Sequence, residues 1–316
     1  MRVVVVGAGI CGLVAARRLV DSGAAVVVVD KGRSPGGRLA TRRIGDATLD
    51  HGAQFFTVRT PAFQHQVDDW TDRGLVSIWS HGFGSNDGHP RHAATAGMNS
   101  LAKDLALGLD VRCSTMAFAI RPPEPGHATP AWDVVIDDGT VHSADAVIIT
   151  TPLPQAFALL ADSGVSLDDS LMRTDYDRTI ALLATLDSAP SIPAPGGLTA
   201  PSPDVSFVAD NAAKGVSAAP AITLHASAVW SESHWDDDHD RLLVGLTQLA
   251  EPWLGTAGVI DAQVKKWRFA TPRSTWPDPC WVAEGGTIVL AGDAFDGPRV
   301  EAAHNSGLAA AHALMG

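Results

Sequence analysis

Apolar positions in this chain come in short unbroken runs near its two ends and in mixed patterns between them. Val3 to Val6 is a continuous β-branched run, the signature of a strand buried on both faces in a parallel sheet. Gly7, Gly9 and Gly12 follow at once in a Gly-x-Gly-x-x-Gly spacing, and Leu13 to Val20 then reads as a helix with an apolar face toward the sheet. Val26 to Val29 supplies a second apolar strand, and Asp30 stands at its carboxyl end, 18 residues beyond Gly12. Glycines at these places permit a tight turn and close backbone approach, the helix start holds a pyrophosphate, and the acid accepts ribose hydroxyls. The pattern predicts a dinucleotide-binding βαβ unit. A leader peptide is the competing reading of Val3 to Ala16, which Arg2 precedes, but the run is too short to span a bilayer. Its glycines and the closing Arg17 and Arg18 suit a strand, turn and helix better.

At the other end, Thr287 to Leu290 is a short apolar strand, followed by Ala291, Gly292 and Asp293 and by an alanine-rich helix from about Val300 to Leu314. An Asp beside a glycine at a strand end can accept a hydrogen bond from a polyol hydroxyl, and can equally serve as a turn or cap acid. Asp110 to Ile120, Trp132 to Ile136 and Ala146 to Thr150 are strand-like, separated by a Pro-rich turn at Pro122 to Pro130 and by the hairpin signal Asp137-Asp138-Gly139. From about Pro152 to Phe269 strands and helices mix, with Pro-rich breaks between Pro190 and Pro203.

Composition narrows the class. Of 316 residues, 46% are hydrophobic and 18% charged, the balance of a folded globular chain. A net charge of −12 opposes nucleic acid and anionic membrane surfaces as partners. Yet Lys31, Arg33, Arg38, Arg42 and Arg43 crowd into one short stretch, where a Gly-Gly-Arg element at Gly36 to Arg38 offers amides and a guanidinium to phosphate. Cys11, Cys113 and Cys280 show no paired spacing, so neither a disulfide scaffold nor a zinc cluster is expected, and a cytoplasmic setting follows. The cluster His234, Asp236, Asp237, Asp238, His239 and Asp240 precedes the apolar run Leu242 to Leu249 and reads as an acidic helix start; no metal is expected. No Gly-x-Ser-x-Gly nucleophile motif is present.

The strings Val3 to Asp30, SPGGRLATRR at 34–43, LDHGAQFFTVR at 49–59, GMNSLAKDLA at 97–106, KKWRFATP at 265–272 and LAGDAFDGPRVEAAHNSGLAAA at 290–310 together resemble the renalase-like branch of the flavin amine oxidase superfamily, over essentially the whole chain. The resemblance implies an α/β fold, a Rossmann-like FAD-binding domain of glutathione-reductase/amine-oxidase type with an inserted α+β substrate domain. Its pieces are 1–59, 95–151 and 270–316 for FAD, and 60–94 and 152–269 for substrate. It implies non-covalent FAD held by Gly7, Gly9, Ile10, Cys11, Gly12, Asp30, Lys31, Gly37, Arg38, Gln54, Phe55, Ala117, Asp293 and Asn305. Thr57, Arg59, Thr60, Met98, Asn99 and His304 become candidates for substrate contact, and Arg59 and Arg91 for binding an anionic one. No side chain is assigned as catalytic, because the flavin carries the chemistry.

The implied reaction is hydride transfer from an isomeric 2- or 6-dihydro-NAD(P) to flavin N5, with O2 reduced to hydrogen peroxide. A flavin amine oxidase acting on a small amine and a non-catalytic flavin or dinucleotide sensor are the alternatives. Phe55 and Phe56 read equally as core aromatics, His304 as a structural histidine and Asn99 as a helix cap.

Overall fold

The computed structural model describes residues 1–84, 87–123 and 131–316; most of the Pro-rich turn expected at Pro122 to Pro130 lies outside them. The chain forms two compact units, Met1–Gly37 with Leu101–Asp175 and Pro272–Gly316, and Arg38–Ser100 with Tyr176–Thr271.

In the first unit a six-stranded sheet runs in the order Trp281–Val282, Ile288–Leu290, Ala146–Ile149, Arg2–Val6, Ala25–Val29, Asp110–Arg112. All pairs are parallel except the first. Val3 to Val6 pairs on one side with Val26 to Val29 and on the other with Ala146 to Ile149, which is why this run is apolar on both faces. Helix Ile10–Asp21 makes the crossover between the first two strands. Helix Val300–Met315 packs on it at Gly307, where a Cβ would stand 2.3 Å from the Cys11 carbonyl oxygen. The chain's far end therefore returns to its first βαβ unit, as the sequence predicts.

The expected continuous strand Asp110 to Ile120 is corrected to two. Asp110–Arg112 joins the parallel sheet, and Ala117–Arg121 lies in a separate antiparallel sheet with Trp132–Ile136 and Val141–Ala144. The break is local: Ser114 sits at φ 53°, its N–H bonded to the Gly32 carbonyl, while the Thr115 N–H bonds to that of Asp30. The Asp137-Asp138-Gly139 hairpin forms where predicted, with Gly139 at φ 87°.

The second unit is built on a five-stranded sheet in the order Gly197–Ser202, Val205–Asp210, Ala221–Ala226, Tyr176–Leu186, Val259–Pro272. Helix His239–Leu254 buries Leu242, Leu246 and Ala250 against it. The Asp238 carboxylate accepts from the Arg241 N–H and caps that helix, so the acidic cluster works as a helix start. Two hairpin ribbons, Thr41–Ile44 with Ala47–Asp50 and Val76–Ser80 with Arg91–Ala94, complete this unit with helix Pro61–Asp72.

These units divide the chain at places other than the sequence expectation drew. Residues 38–59 group with the second unit because the Ala47–Asp50 strand is rooted there: Leu49 packs on Leu183 and Ala221, and Asp50 pairs with Lys214. Residues 152–175 group with the first, where helix Leu153–Leu159 packs against Ala117–Arg121. Among the described residues no helix is long and apolar enough to cross a membrane.

Candidate active site

The glycine turn of the first unit is shaped by three different demands. Gly7 takes φ 112°, and a Cβ there would lie 2.5 Å from Thr150 Oγ1; at Gly12 a Cβ would lie 2.0 Å from the Gly7 carbonyl oxygen. Both glycines are therefore needed to close the turn itself. Gly9 differs: its backbone is ordinary, at φ −75°, and a Cβ there would meet nothing within 4 Å. The open side of Gly9 lies at the start of helix Ile10–Asp21, whose N-cap is this glycine and whose first-turn amides have no side-chain cap. Gly36 N–H bonds to the Ala8 carbonyl at 2.9 Å, and a Cβ on Gly37, at φ 52°, would come 3.5 Å from Gly9 Cα. The Gly-Gly element thus lies against the glycine turn, and Ile10 and Cys11 open the helix behind it.

Asp30 stands at the end of its strand with Oδ2 accepting from Ala8 N–H and Oδ1 from Gly32 N–H, both at 2.6 Å. It braces the turn, and each oxygen keeps a second lone pair for a hydroxyl. Lys31 reaches Gln155 across an exposed surface at 3.3 Å. Ala117 opens its strand half-buried, beside the Met116 carbonyl that accepts from Asp137 N–H. Thr150, which the sequence reading passed over, bonds through Oγ1 to the carbonyls of Val6 and Gly7.

At the carboxyl end Gly292, at φ 144°, gives its N–H to the buried Ser306 Oγ at 2.8 Å, fixing the turn that presents the half-buried Asp293. His304 is buried, its Nδ1 3.1 Å from Asn305 Oδ1, and burial lowers its pKa so that it stays neutral near pH 7. Glu301, buried in the first turn of the same helix, already sets one acid at the positive end of its dipole.

In the second unit Arg38 Nη1 donates to the carbonyls of Phe269 and Ala270 at 3.3 and 3.2 Å. Gln54 is buried; its amide donates to the carbonyls of Asp50 and Gly52, while its Oε1 has no partner. The two adjacent phenylalanines part company. Phe56 is core, packed on Phe63, Trp70 and His92. Phe55 is half-buried among Phe83 and Phe207, with the Arg91 guanidinium 5.9 Å from its ring centroid. Thr57 and Thr60 are half-buried and Arg59 is exposed. Met98 is fully buried, its N–H on Asp50 Oδ1 at 2.8 Å, and Asn99 N–H donates to Thr41 Oγ1. Asn99 is the first residue of its helix.

Sequence reasoning missed the polar centre of this unit. Asp50 is fully buried, with Oδ1 accepting from Thr41 and Met98 and Oδ2 from the fully buried Lys214 at 2.7 Å. Beside it, His51 stacks on Trp267 at 5.4 Å, and the indole N–H donates to the His51 carbonyl at 2.8 Å. His225, half-buried, hydrogen-bonds to the His51 backbone. Burial, then the nearby Lys265, pushes His51 down to about 4; burial also takes His225 to about 4. Both rings are neutral when folded and protonate near 6.5 when unfolded. Stability is therefore fully present above about pH 6.5 and falls as the pH drops toward 4, by roughly 3 kcal/mol per ring at the end of that window. Urea melts between about pH 6.5 and about pH 5, where most carboxylates remain charged, should show this loss, and a His225→Phe variant should show a shallower one.

Residues 5–70 match the NAD(P)-binding Rossmann-like domain, and residues 68–315 match the family described as flavin containing amine oxidoreductase. The chain belongs to that family, and its class is that of FAD-dependent oxidoreductases. Over 58 residues it is 47% identical to a hydroxyneurosporene desaturase of Rubrivivax gelatinosus, a match covering 18% of this chain and 11% of that one. A solved structure from Exiguobacterium sp. 255-15, assigned as a protoporphyrinogen oxidase, superposes with a TM-score of 0.72 at 15% identity, covering 98% of both chains. A putrescine oxidase triple mutant from a cofactor-binding redesign gives a TM-score of 0.72 at 15% identity, covering 99% of this chain and 98% of its own. At this identity the two structures share the fold. The first unit fits FAD on its own geometry, since the one glycine not needed to close the turn leaves open space at an uncapped helix start.

Proposed function

We propose that this protein is a renalase-like oxidase that returns dihydro-NAD(P) isomers, reduced at the 2 or 6 position of the nicotinamide ring, to NAD(P)+ with O2 as acceptor. The choice against an amine rests on one observation. Phe55, Phe83, Phe207 and Trp79 pack on one another with centroids 4.7 to 6.1 Å apart, and cations already border them. Arg91 lies 5.9 Å from the Phe55 centroid and Lys214 5.2 Å from that of Trp79. A protonated amine would seek open aromatic faces and would here meet filled space. Arg91 is ion-paired with Asp87 and Lys214 with Asp50, so this group argues against an amine through its filled aromatic faces and not through net charge.

When bound, FAD supplies a two-electron acceptor at N5 that O2 can reoxidise. One hydride leaves the substrate ring and, with one proton from solvent, ends as hydrogen peroxide on O2. The chain's part is to bind and orient. Gly9 admits the pyrophosphate, Asp30 takes ribose hydroxyls and Asp293 the ribityl chain, while Gln54 Oε1 and Asn305 offer polar contacts. Thr57, Arg59, Thr60, Asn99 and His304 are the candidates to hold substrate, with Met98 acting behind them through its backbone.

Anaerobic mixing of the holoenzyme with each dihydro isomer, and separately with primary and secondary amines, tests this reading. The flavin's visible band is expected to bleach with a dihydro isomer and to persist with amines. Bleaching by amines alone would replace the proposal with an amine oxidase, and a bound flavin that no donor reduces would point to a sensor.

A further inference from the structure

We infer that Arg42 and His51, with Lys265 beside them, form a subsite for the substrate's phosphates; the inference rests on the dinucleotide reading above. The placement comes from strand register. The ribbon Thr41–Ile44 with Ala47–Asp50 pairs Arg42 with Leu49, and the His51 N–H extends it to the Ala40 carbonyl at 3.0 Å. Side chains two apart on a strand share a face, so Arg42 and His51 are diagonal neighbours across the ribbon. Lys265 precedes Trp267 by two positions on strand Val259–Pro272 and shares its face, and Trp267 is the residue stacked on His51. Three segments thus converge a guanidinium, an imidazole and an ammonium.

Two of these groups are incomplete. Arg42 Nε and His51 Nδ1 are buried and have no hydrogen-bond partner, a costly state that native proteins rarely keep without a ligand or water. Arg Nε can only donate, so whatever answers it must be an acceptor. The acid at the end of this ribbon cannot serve: Asp50 is committed to Lys214, Thr41 and Met98. His51 is neutral at pH 7, held so by burial and by Lys265, and in the Nδ1–H tautomer it is a second donor. A phosphate accepts from both, suits the guanidinium fork and is drawn by the charges of Arg42 and Lys265.

The test compares wild-type holoenzyme with Arg42→Gln and with Arg42→Lys, which keeps stem and charge. Substrates are 6-dihydro-NAD and the corresponding dihydronicotinamide riboside, which has no phosphate. The KM of the dinucleotide relative to that of the riboside should rise about tenfold or more in Arg42→Gln and less in Arg42→Lys, with FAD content intact. Inorganic pyrophosphate should raise the melting temperature of the wild-type holoenzyme and not that of Arg42→Gln. Loss of FAD from Arg42→Gln would make Arg42 a flavin ligand and overturn the subsite. An unchanged KM ratio would overturn it too, leaving water as the partner of Nε. Should the wild type oxidise neither substrate, the substrate reading has failed and the pyrophosphate shift alone decides the subsite.

Discussion

Gly9→Leu is expected to abolish FAD uptake while the flavin-free protein melts close to wild type. The two halves of that expectation come from the same local geometry. A Cβ at Gly9 meets nothing within 4 Å, and the residue's φ of −75° suits any side chain, so the fold loses only an N-cap preference of about 1 kcal/mol. For a chain of this size that is a melting shift of roughly 2–4 °C. The open space is where a pyrophosphate approaches the helix start, and a leucine side chain would fill it and shut the pyrophosphate out. Gly12→Ala is the contrasting control. Its Cβ would stand 2.0 Å from the Gly7 carbonyl oxygen, so it should lose fold and flavin together. The readouts are flavin absorbance per protein after reconstitution and thermal melting without flavin. Normal FAD content in Gly9→Leu would remove the glycine turn from the cofactor site.

The first βαβ unit was legible because its signals are local. A β-branched run, three glycines and an acid at the end of the next strand lie within thirty residues, and all of them except Gly9 are fixed by contacts close by in the chain or the sheet. The helix at 300–315 and the strand at 288–290 were legible for the same reason. Where a run's ending depends on one backbone angle, pattern failed: the residues from Asp110 to Ile120 look like one strand, and the left-handed turn at Ser114 divides them. Adjacent Phe55 and Phe56 were indistinguishable as letters, yet alternation along extended chain sends one to the core and one to a separate aromatic group.

The centre of the second unit was not legible at all, for a physical reason. Asp50 and Lys214 are separated by 164 positions, and neither has a neighbouring pattern that announces burial; a lysine in a polar turn reads as solvated. The same holds for His51 and His225, whose proximity comes from the packing of the Ala47–Asp50 strand on Ala221–Ala226, far apart in sequence. Apart from His304, the groups invoked here for substrate binding therefore depend on the tertiary fold of the second unit, whereas Gly9 and Asp30, invoked for FAD, depend on one turn of the first.

Lys214→Met should be the most destabilising single change in the second unit, lowering stability by about 3–5 kcal/mol. Both partners are fully buried, so removing the ammonium leaves the Asp50 carboxylate with the Thr41 hydroxyl and the Met98 N–H as donors. Burial pulls the Lys214 pKa down and Asp50 holds it up, so the charge persists only because its partner is there. Asp50 also ties four segments together: its N–H bonds to Asn211 Oδ1, its carbonyl accepts from Thr223 Oγ1 and Gln54, and its carboxylate reaches Thr41 and the 97–99 segment. Asp50→Asn alone should likewise be severe, since it strands a buried ammonium. The double variant Asp50→Asn with Lys214→Met removes both charges and should be more stable than the sum of the two losses predicts, by about 1–3 kcal/mol. Urea melts of the four proteins at fixed FAD concentration measure this directly. Strict additivity, or a Lys214→Met protein as stable as wild type, would mean that the pair is not the linchpin its burial and bonding make it.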